Sequence, residues 1–243
     1  MITLIGTGHV FNLSAALLSI FDQKQPDMIC VELDNQRYQA LIIKQTDPER
    51  FEQHQKNLPF MYRLLSRFQD DMASQYGVIP GSEMLTAISY AQSHQLPMEF
   101  IDMNGQQIFN QMWRTMPLIE RLRLFLSGFA GFFISKKTVE KEMQQMQQNF
   151  DQYLEEIGKK FPTITRTLID ERNTYMANRL LQLHEQYTNI IACVGDGHVP
   201  GLSRLIKEKN IETHIIRLQE LRAFEQKNTD TTSASFSIDY KPS

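Results

Sequence analysis

Apolar positions along this chain fall into short unbroken runs separated by longer stretches with helical spacing. Met1 to Ile5, Asp27 to Leu33, Met98 to Asp102, Asn189 to Val194 and Thr213 to Arg217 are rich in Ile, Val, Leu, Met or Cys and too short for helices. Runs of this length predict strands. After the first run Asn12 or Ser14 can cap a helix through about Phe21, and helical signals follow from Asn35 to Lys44 and from Leu58 to Ser74. Pro80-Gly81-Ser82-Glu83 reads as a helix start, with Ser82 as the candidate cap. Glu83 stands in the first turn, where the helix dipole favours a carboxylate, and the helix runs to about His94. Strand, helix and strand within the first 33 residues form a βαβ unit.

The middle of the chain has a different pattern. From Asn104 to His184 it is mostly helical, with Pro117 and Pro162 as breaks, and Lys136 to Lys160 reads as a long, charged, Gln-rich amphipathic helix. The expected architecture is therefore α/β: a central, largely parallel sheet of about five strands flanked by helices. A long helical insertion, about residues 104–184, separates the third and fourth strands. This domain covers residues 1–222. Residues 223–243 have little apolar material to bury and are expected to form a disordered C-terminal tail, from about Glu225 onward.

One segment stands apart. Leu124 to Ile134 is uncharged, with Arg123 before it and Lys136-Lys137 after it. Its eleven residues fall short of the about 20 that span a bilayer, so no transmembrane segment is expected. It reads first as a buried helix; a membrane-surface hairpin and an oligomer contact in a homodimer are the other readings.

Bulk properties narrow the function. The 243 residues are 42% hydrophobic, enough for an ordinary core. The 25 basic and 28 acidic residues are well mixed and leave no basic footprint for nucleic acid. Cys30 and Cys193 lie inside apolar strand runs and read as small buried hydrophobes, not as a disulfide framework. The N-terminus lacks the basic and apolar regions of a signal peptide, so a cytoplasmic location is expected.

The candidate chemistry lies in a signature that occurs twice, Gly6-Thr7-Gly8-His9 and Gly195-Asp196-Gly197-His198. Each copy closes a strand run and opens an amphipathic stretch, and its glycines suit a sharp turn. A nucleotide reading lacks the third glycine of the dinucleotide fingerprint and any Walker lysine. Glu32, Glu83 and Asp102 fall at strand ends or on the helices that begin there, where parallel sheets gather their functional groups. Two imidazoles with one or two carboxylates suit a divalent ion, or a general base and its orienting acid. Each residue also has a plainer role. The histidines can be hydrogen-bonded in their turns, Glu32 can pair with Arg37, Glu83 can serve the helix dipole, and Asp102 can cap a helix before Asn104-Gly105. Arg172, within Asp170-Glu171-Arg172-Asn173, can hold a site carboxylate or neutralise an oxyanion, or belong to a solvated face. His54, His94, His184 and His214 have no ligand spacing.

The ordered set of motifs adds Val31-Glu32-Leu33-Asp34, Arg37-Tyr38, Gly81-Ser82-Glu83-Met84, Ile101-Asp102 and Glu171-Arg172-Asn173 to the two Gly-His turns. It resembles the TraB/PrgY family, named after pheromone-shutdown proteins and related to Tiki metalloproteases and erythromycin esterases, over about residues 1 to 220. The resemblance implies an α/β fold whose two histidine motifs face one pocket, with metal-dependent peptidase activity in Tiki-like members. It places Glu32 and Glu83 at the family's acidic positions and Arg37 and Arg172 at its basic ones. The polar C-terminal stretch departs from the many members that carry a membrane region there. The leading expectation is a metal-dependent hydrolase, foremost a peptidase, with Mn, Co or Zn held by His9, His198 and Glu32 or Glu83. The alternative is a non-catalytic protein that sequesters a peptide or small signal.

Overall fold

A computed structural model of the chain describes residues 1–8, 11–47, 81–131, 156 and 158–233. Five strands, β1 (Ile2–Thr7), β2 (Met28–Val31), β3 (Met98–Phe100), β4 (Ile190–Gly195) and β5 (Thr213–Ile216), form one parallel sheet in the order β3-β2-β4-β1-β5. β1 and β4 are paired along their whole length, from Ile2 opposite Ile190 to Thr7 opposite Gly195. All six residues of β1 are buried because helices cover both faces of the sheet.

Alternation sorts the strand side chains into two cores. Ile5, Ile29, Val31, Ile191 and Cys193 pack on the first face with α1 (Ser14–Lys24), α3 (Ser82–Ser93) and the start of α9 (Leu218–Ser233). Ile2, Leu4, Met28, Cys30, Ile190, Ala192 and Val194 pack on the second face. There they meet α7 (Glu171–His184) and α8 (Val199–Lys207). Between the strands, α2 (Asn35–Thr46) follows β2, and α4 (Gly105–Thr115) and α5 (Leu118–Gly131) follow β3. The short α6 (Pro162–Thr165) leads through a π-helical turn (Arg166–Asp170) into α7. From β1 to β3 the chain steps across the sheet one way over the first face; from β3 to β5 it steps back over the second. Direction and face reverse together, so every crossover keeps one hand.

Several boundaries differ from the sequence reading. Gly81, not Ser82, is the residue that precedes α3. α9 runs past the predicted start of the tail at Glu225 to Ser233, because Leu221 is buried and the Glu225 carboxylate accepts the Ala16 N–H at 2.9 Å. The predicted helix at 58–74, most of Lys136–Lys160 and residues 234–243 lie outside the described residues.

The apolar segment that begins at Leu124 is helical through Gly131. Leu118, Leu122 and Leu126, spaced four apart and hence on one stripe, are 79%, 60% and 61% exposed. Within the apolar segment itself Leu124 is half-buried and Leu126 exposed, and the other side chains of 124–134 lie outside the described residues. Among the described residues no helix is long and apolar enough to cross a membrane.

Candidate functional site

β4 sits where the topology reverses. Its neighbours β1 and β2 both lead on to helices over the first face, whereas β4 leads to α8 over the second. Diverging exits of this kind are where open parallel sheets place the crevice that takes a ligand, at the carboxyl ends of the strands. Thr7 and Gly195, opposite each other, bring the two Gly-His turns to the same edge. Gly8 is described there, and His9 lies outside the described residues.

Glu32 follows β2 in phase with Met28 and Cys30, so its carboxylate reaches toward the second face. Its Oε2 accepts the Gly195 N–H at 2.6 Å, and its Oε1 pairs with Nη2 of Arg172. Arg172, in the first turn of α7, spreads its guanidinium over three acceptors besides Glu32. Nε meets Asp102 Oδ1 at 2.9 Å, Nη2 meets Asp102 Oδ2 at 2.7 Å, and Nη1 meets the Leu168 carbonyl, in the π-helical turn, at 3.1 Å. Arg37 donates from Nη1 to Asp102 Oδ2 at 2.5 Å. Glu32, Asp102, Arg37 and Arg172 thus form one charge-balanced cluster. The expected pairing of Glu32 with Arg37 is replaced by an exchange: Arg172 takes Glu32, and Arg37 takes Asp102.

Asp102 is not a helix cap. Asn104 caps α4 by accepting the Gln107 N–H at 3.0 Å, and Asp34 accepts the Gly105 N–H at 3.1 Å, which leaves Asp102 to the guanidiniums. Asp34 also caps α2 through the N–H groups of Gln36 and Arg37, at 2.8 and 3.1 Å, and so aims Arg37 at the cluster.

His198 ends the short 3-10 turn Asp196–His198 after β4 and is buried. Its Nδ1 lies 2.8 Å from Oδ1 of Asn173, and its Nε2 lies 3.5 Å from Oε1 of Glu32. The second distance exceeds the about 2.7–3.2 Å of an N–H···O bond, so the imidazole faces the carboxylate across a gap. The turn is held from the other side. Asp196 accepts from Arg217 Nε at 2.9 Å, from Arg217 Nη2 at 2.8 Å and from the Leu218 N–H at 2.9 Å. Gly6 makes room for this clamp, since a Cβ there would stand 2.1 Å from Asp196 Oδ1.

The charges set the protonation states. Burial alone raises the Glu32 carboxyl; the charges of protonated His198, of Arg172 and of Arg37, with the Gly195 N–H, outweigh it and hold the pKa at about 2. Burial lowers the His198 pKa, the two guanidiniums add to that, and Glu32 and Asp102 oppose it without reversing it. Arg172 is held protonated by Glu32 and Asp102 against the effect of burial. At neutral pH Glu32 is therefore ionised, Arg172 charged and the His198 imidazole neutral.

Glu83 is also buried. It shares the stripe of α3 that carries Ala87 and Ala91 against the first face. After burial itself, its charge is the cause that raises the thiol of Cys193. Cys30 and Cys193 are both free and buried, in agreement with the sequence reading. Asn173 stands within the Glu171-Arg172-Asn173 motif, yet sequence reasoning gave it no role in the site. The available signals were its place next to Arg172 and a glycine, Gly201, three residues after His198.

A divalent ion can be tested against these groups. Bonds of about 2.0–2.2 Å to one tetrahedral ion set neighbouring donors about 3.3–3.5 Å apart. The His198 Nε2 to Glu32 Oε1 separation of 3.5 Å meets that spacing. An amide oxygen on the far ring nitrogen is also the support that metal-bound histidines commonly have. His198 and Glu32 thus fit as two donors; among the described residues no group of three His, Cys, Asp or Glu is placed to hold an ion.

Comparison with known proteins gives a consistent kinship. The model of a family described as TraB/PrgY/gumN matches residues 1–213. An uncharacterized protein of Methanocaldococcus jannaschii is 30% identical over 212 residues, covering 85% of this chain and 53% of the relative. A TraB domain-containing protein of Bos taurus is 25% identical, and one of Homo sapiens 24% identical, each alignment covering 89% of this chain and 64% of the relative. The chain thus spans between about half and two thirds of the length of these relatives.

Proposed function

The chain belongs to the TraB/PrgY/gumN family, and on that premise we propose that the crevice beyond β4 is the active site of a metal-dependent hydrolase that cleaves peptide bonds. The observation that carries this reading is the buried His198 Nε2 set 3.5 Å from Glu32 Oε1, with Asn173 supporting the other side of the ring. His198 and Glu32 would hold the ion, with His9, which follows the end of the adjacent strand, as the third ligand. When bound, a divalent ion supplies a polarised carbonyl and a water of lowered pKa.

The chain's own residues prepare the site for that chemistry. Neutral His198 keeps a lone pair available at neutral pH, and Glu32 stays ionised. Arg172 fixes Glu32 and Asp102 relative to one another and keeps their combined charge from repelling a substrate carbonyl. Arg37 is the more exposed guanidinium, its side chain 30% accessible against 13% for Arg172. It is the cation available to an oxygen that gains negative charge.

The test is elemental analysis of the purified protein, followed by incubation with a mixed peptide library under Mn²⁺, Co²⁺, Zn²⁺ or chelator. The reading expects stoichiometric metal and cleavage that chelator abolishes. Peptides held tightly and released intact under all three ions would replace it with sequestration.

A further inference from the structure

We propose that Asn173 is a positioning residue that fixes His198 in the tautomer carrying its proton on Nδ1, leaving the Nε2 lone pair toward Glu32. The space that Gly201 leaves is what admits the amide.

The ring has two polar neighbours at unequal distances. Nδ1 to Asn173 Oδ1, at 2.8 Å, is a full hydrogen bond, and Nε2 to Glu32 Oε1, at 3.5 Å, is beyond one. Glu32 does not draw the ring proton to itself: its Oε1 stands 3.5 Å away, beyond a hydrogen bond, held there as its oxygens accept from the Gly195 N–H and from Arg172. An amide oxygen only accepts, so the ring nitrogen it meets must carry the hydrogen, and a neutral imidazole then has its lone pair on the other nitrogen. Asn173 and His198 are both buried, 4% and 5% exposed, where an unmatched polar atom is costly.

Gly201 completes the arrangement. A Cβ at this position would lie 2.2 Å from Nδ2 and 3.0 Å from Cγ of Asn173, so any side chain there drives the amide off the ring. Gly201 lies in the first turn of α8 and is not in the left-handed region, so close approach is what demands glycine. Asn173 and Arg172 are consecutive in the first turn of α7. About 100° apart around that helix, one reaches the imidazole and the other the carboxylates, so a single helix start orients both halves of the site.

This assignment concerns the metal-free chain; its effect on rate rests on the hydrolase reading. The decisive readout is therefore the tautomer. Long-range ¹⁵N–¹H spectra of the chelator-treated full chain at pH 8 distinguish the two forms, with the His198 signals assigned by their loss in His198→Gln. The wild type is expected to show the Nδ1–H pattern. Asn173→Asp keeps an acceptor at the same place and should preserve it. Asn173→Ala, and Gly201→Ala with the asparagine intact, should shift His198 toward the Nε2–H form. In the loaded protein the same two variants should lower peptide hydrolysis about 10- to 100-fold, with Asn173→Asp nearer the wild type. An Nε2–H wild type, or an Asn173→Ala variant with an unchanged pattern, overturns the proposal, as does loss of the pattern in folded Asn173→Asp. A wild type that shows the Nδ1–H pattern but cleaves no peptide counts against the hydrolase reading alone.

Discussion

Glu32, one residue beyond β2, and Asp196, one residue beyond β4, each meet a guanidinium from another element, and the two pairs are built differently. Asp196 and Arg217 join two oxygens to two nitrogens at 2.9 and 2.8 Å, and the Leu218 N–H adds a third bond. That pair is partly exposed and ties the turn after β4 to the start of α9. Glu32 is buried, Arg172 is 13% exposed, and their pair is divided: the guanidinium is shared with Asp102, and the carboxylate faces an imidazole to which it is not hydrogen-bonded. A bidentate pair closed on itself is a fastening. A shared pair beside a histidine keeps opposite charges together without closing them on each other.

The largest effect expected from breaking this contrast comes from Arg172→Met. It strands Glu32 and Asp102 in the interior with Arg37 as their remaining guanidinium, and should lower unfolding stability by about 3–5 kcal/mol in denaturant titrations. Asp196→Ala removes an interaction that water already screens in part, and should cost about 1–2 kcal/mol. Equal losses in the two variants would erase the distinction.

A smaller effect follows from pH. The Glu32 pKa falls from an ordinary 4.5 to about 2 on folding, so its contribution is complete above pH 4.5 and is lost as pH falls toward 2. His198 acts in the same direction: its pKa is lowered on folding, so acid favours the unfolded chain from about its ordinary 6.5 downward. Denaturation midpoints of the metal-free protein should therefore drop more between pH 7 and pH 3 in the wild type than in Glu32→Gln. Parallel curves would contradict the depressed Glu32 pKa.

Much of the frame is legible in the chain. Apolar-rich runs mark the inner strands β2, β4 and β1, which are covered on both faces, and shorter apolar stretches interrupted by Glu99 and His214 mark the edge strands β3 and β5. Glu32, Asp102 and Arg172 stand out as charges at element ends, and the structure brings them together with His198 and Arg37. Partner choice is not legible. Whether Glu32 meets Arg37 or Arg172 depends on β4 being inserted between β2 and β1, and no local pattern encodes strand order. Glu83 resembles Glu32 in sequence, yet its stripe on α3 faces the opposite side of the sheet. The π-helical turn before α7 contains neither Gly nor Pro, so nothing in its residues announces it. Asn173 becomes visible only once its distance to His198 is known.

The central claim is that the divided cluster, and not the closed pair one strand away, carries chemistry. The direct measurement is kcat/KM for peptide hydrolysis by metal-loaded wild type, His198→Ala and Asp196→Ala. The account predicts a loss of at least about 100-fold for His198→Ala and of less than about tenfold for Asp196→Ala, whose cost is mainly one of stability. Hydrolysis that survives in His198→Ala, or falls equally in both variants, contradicts it.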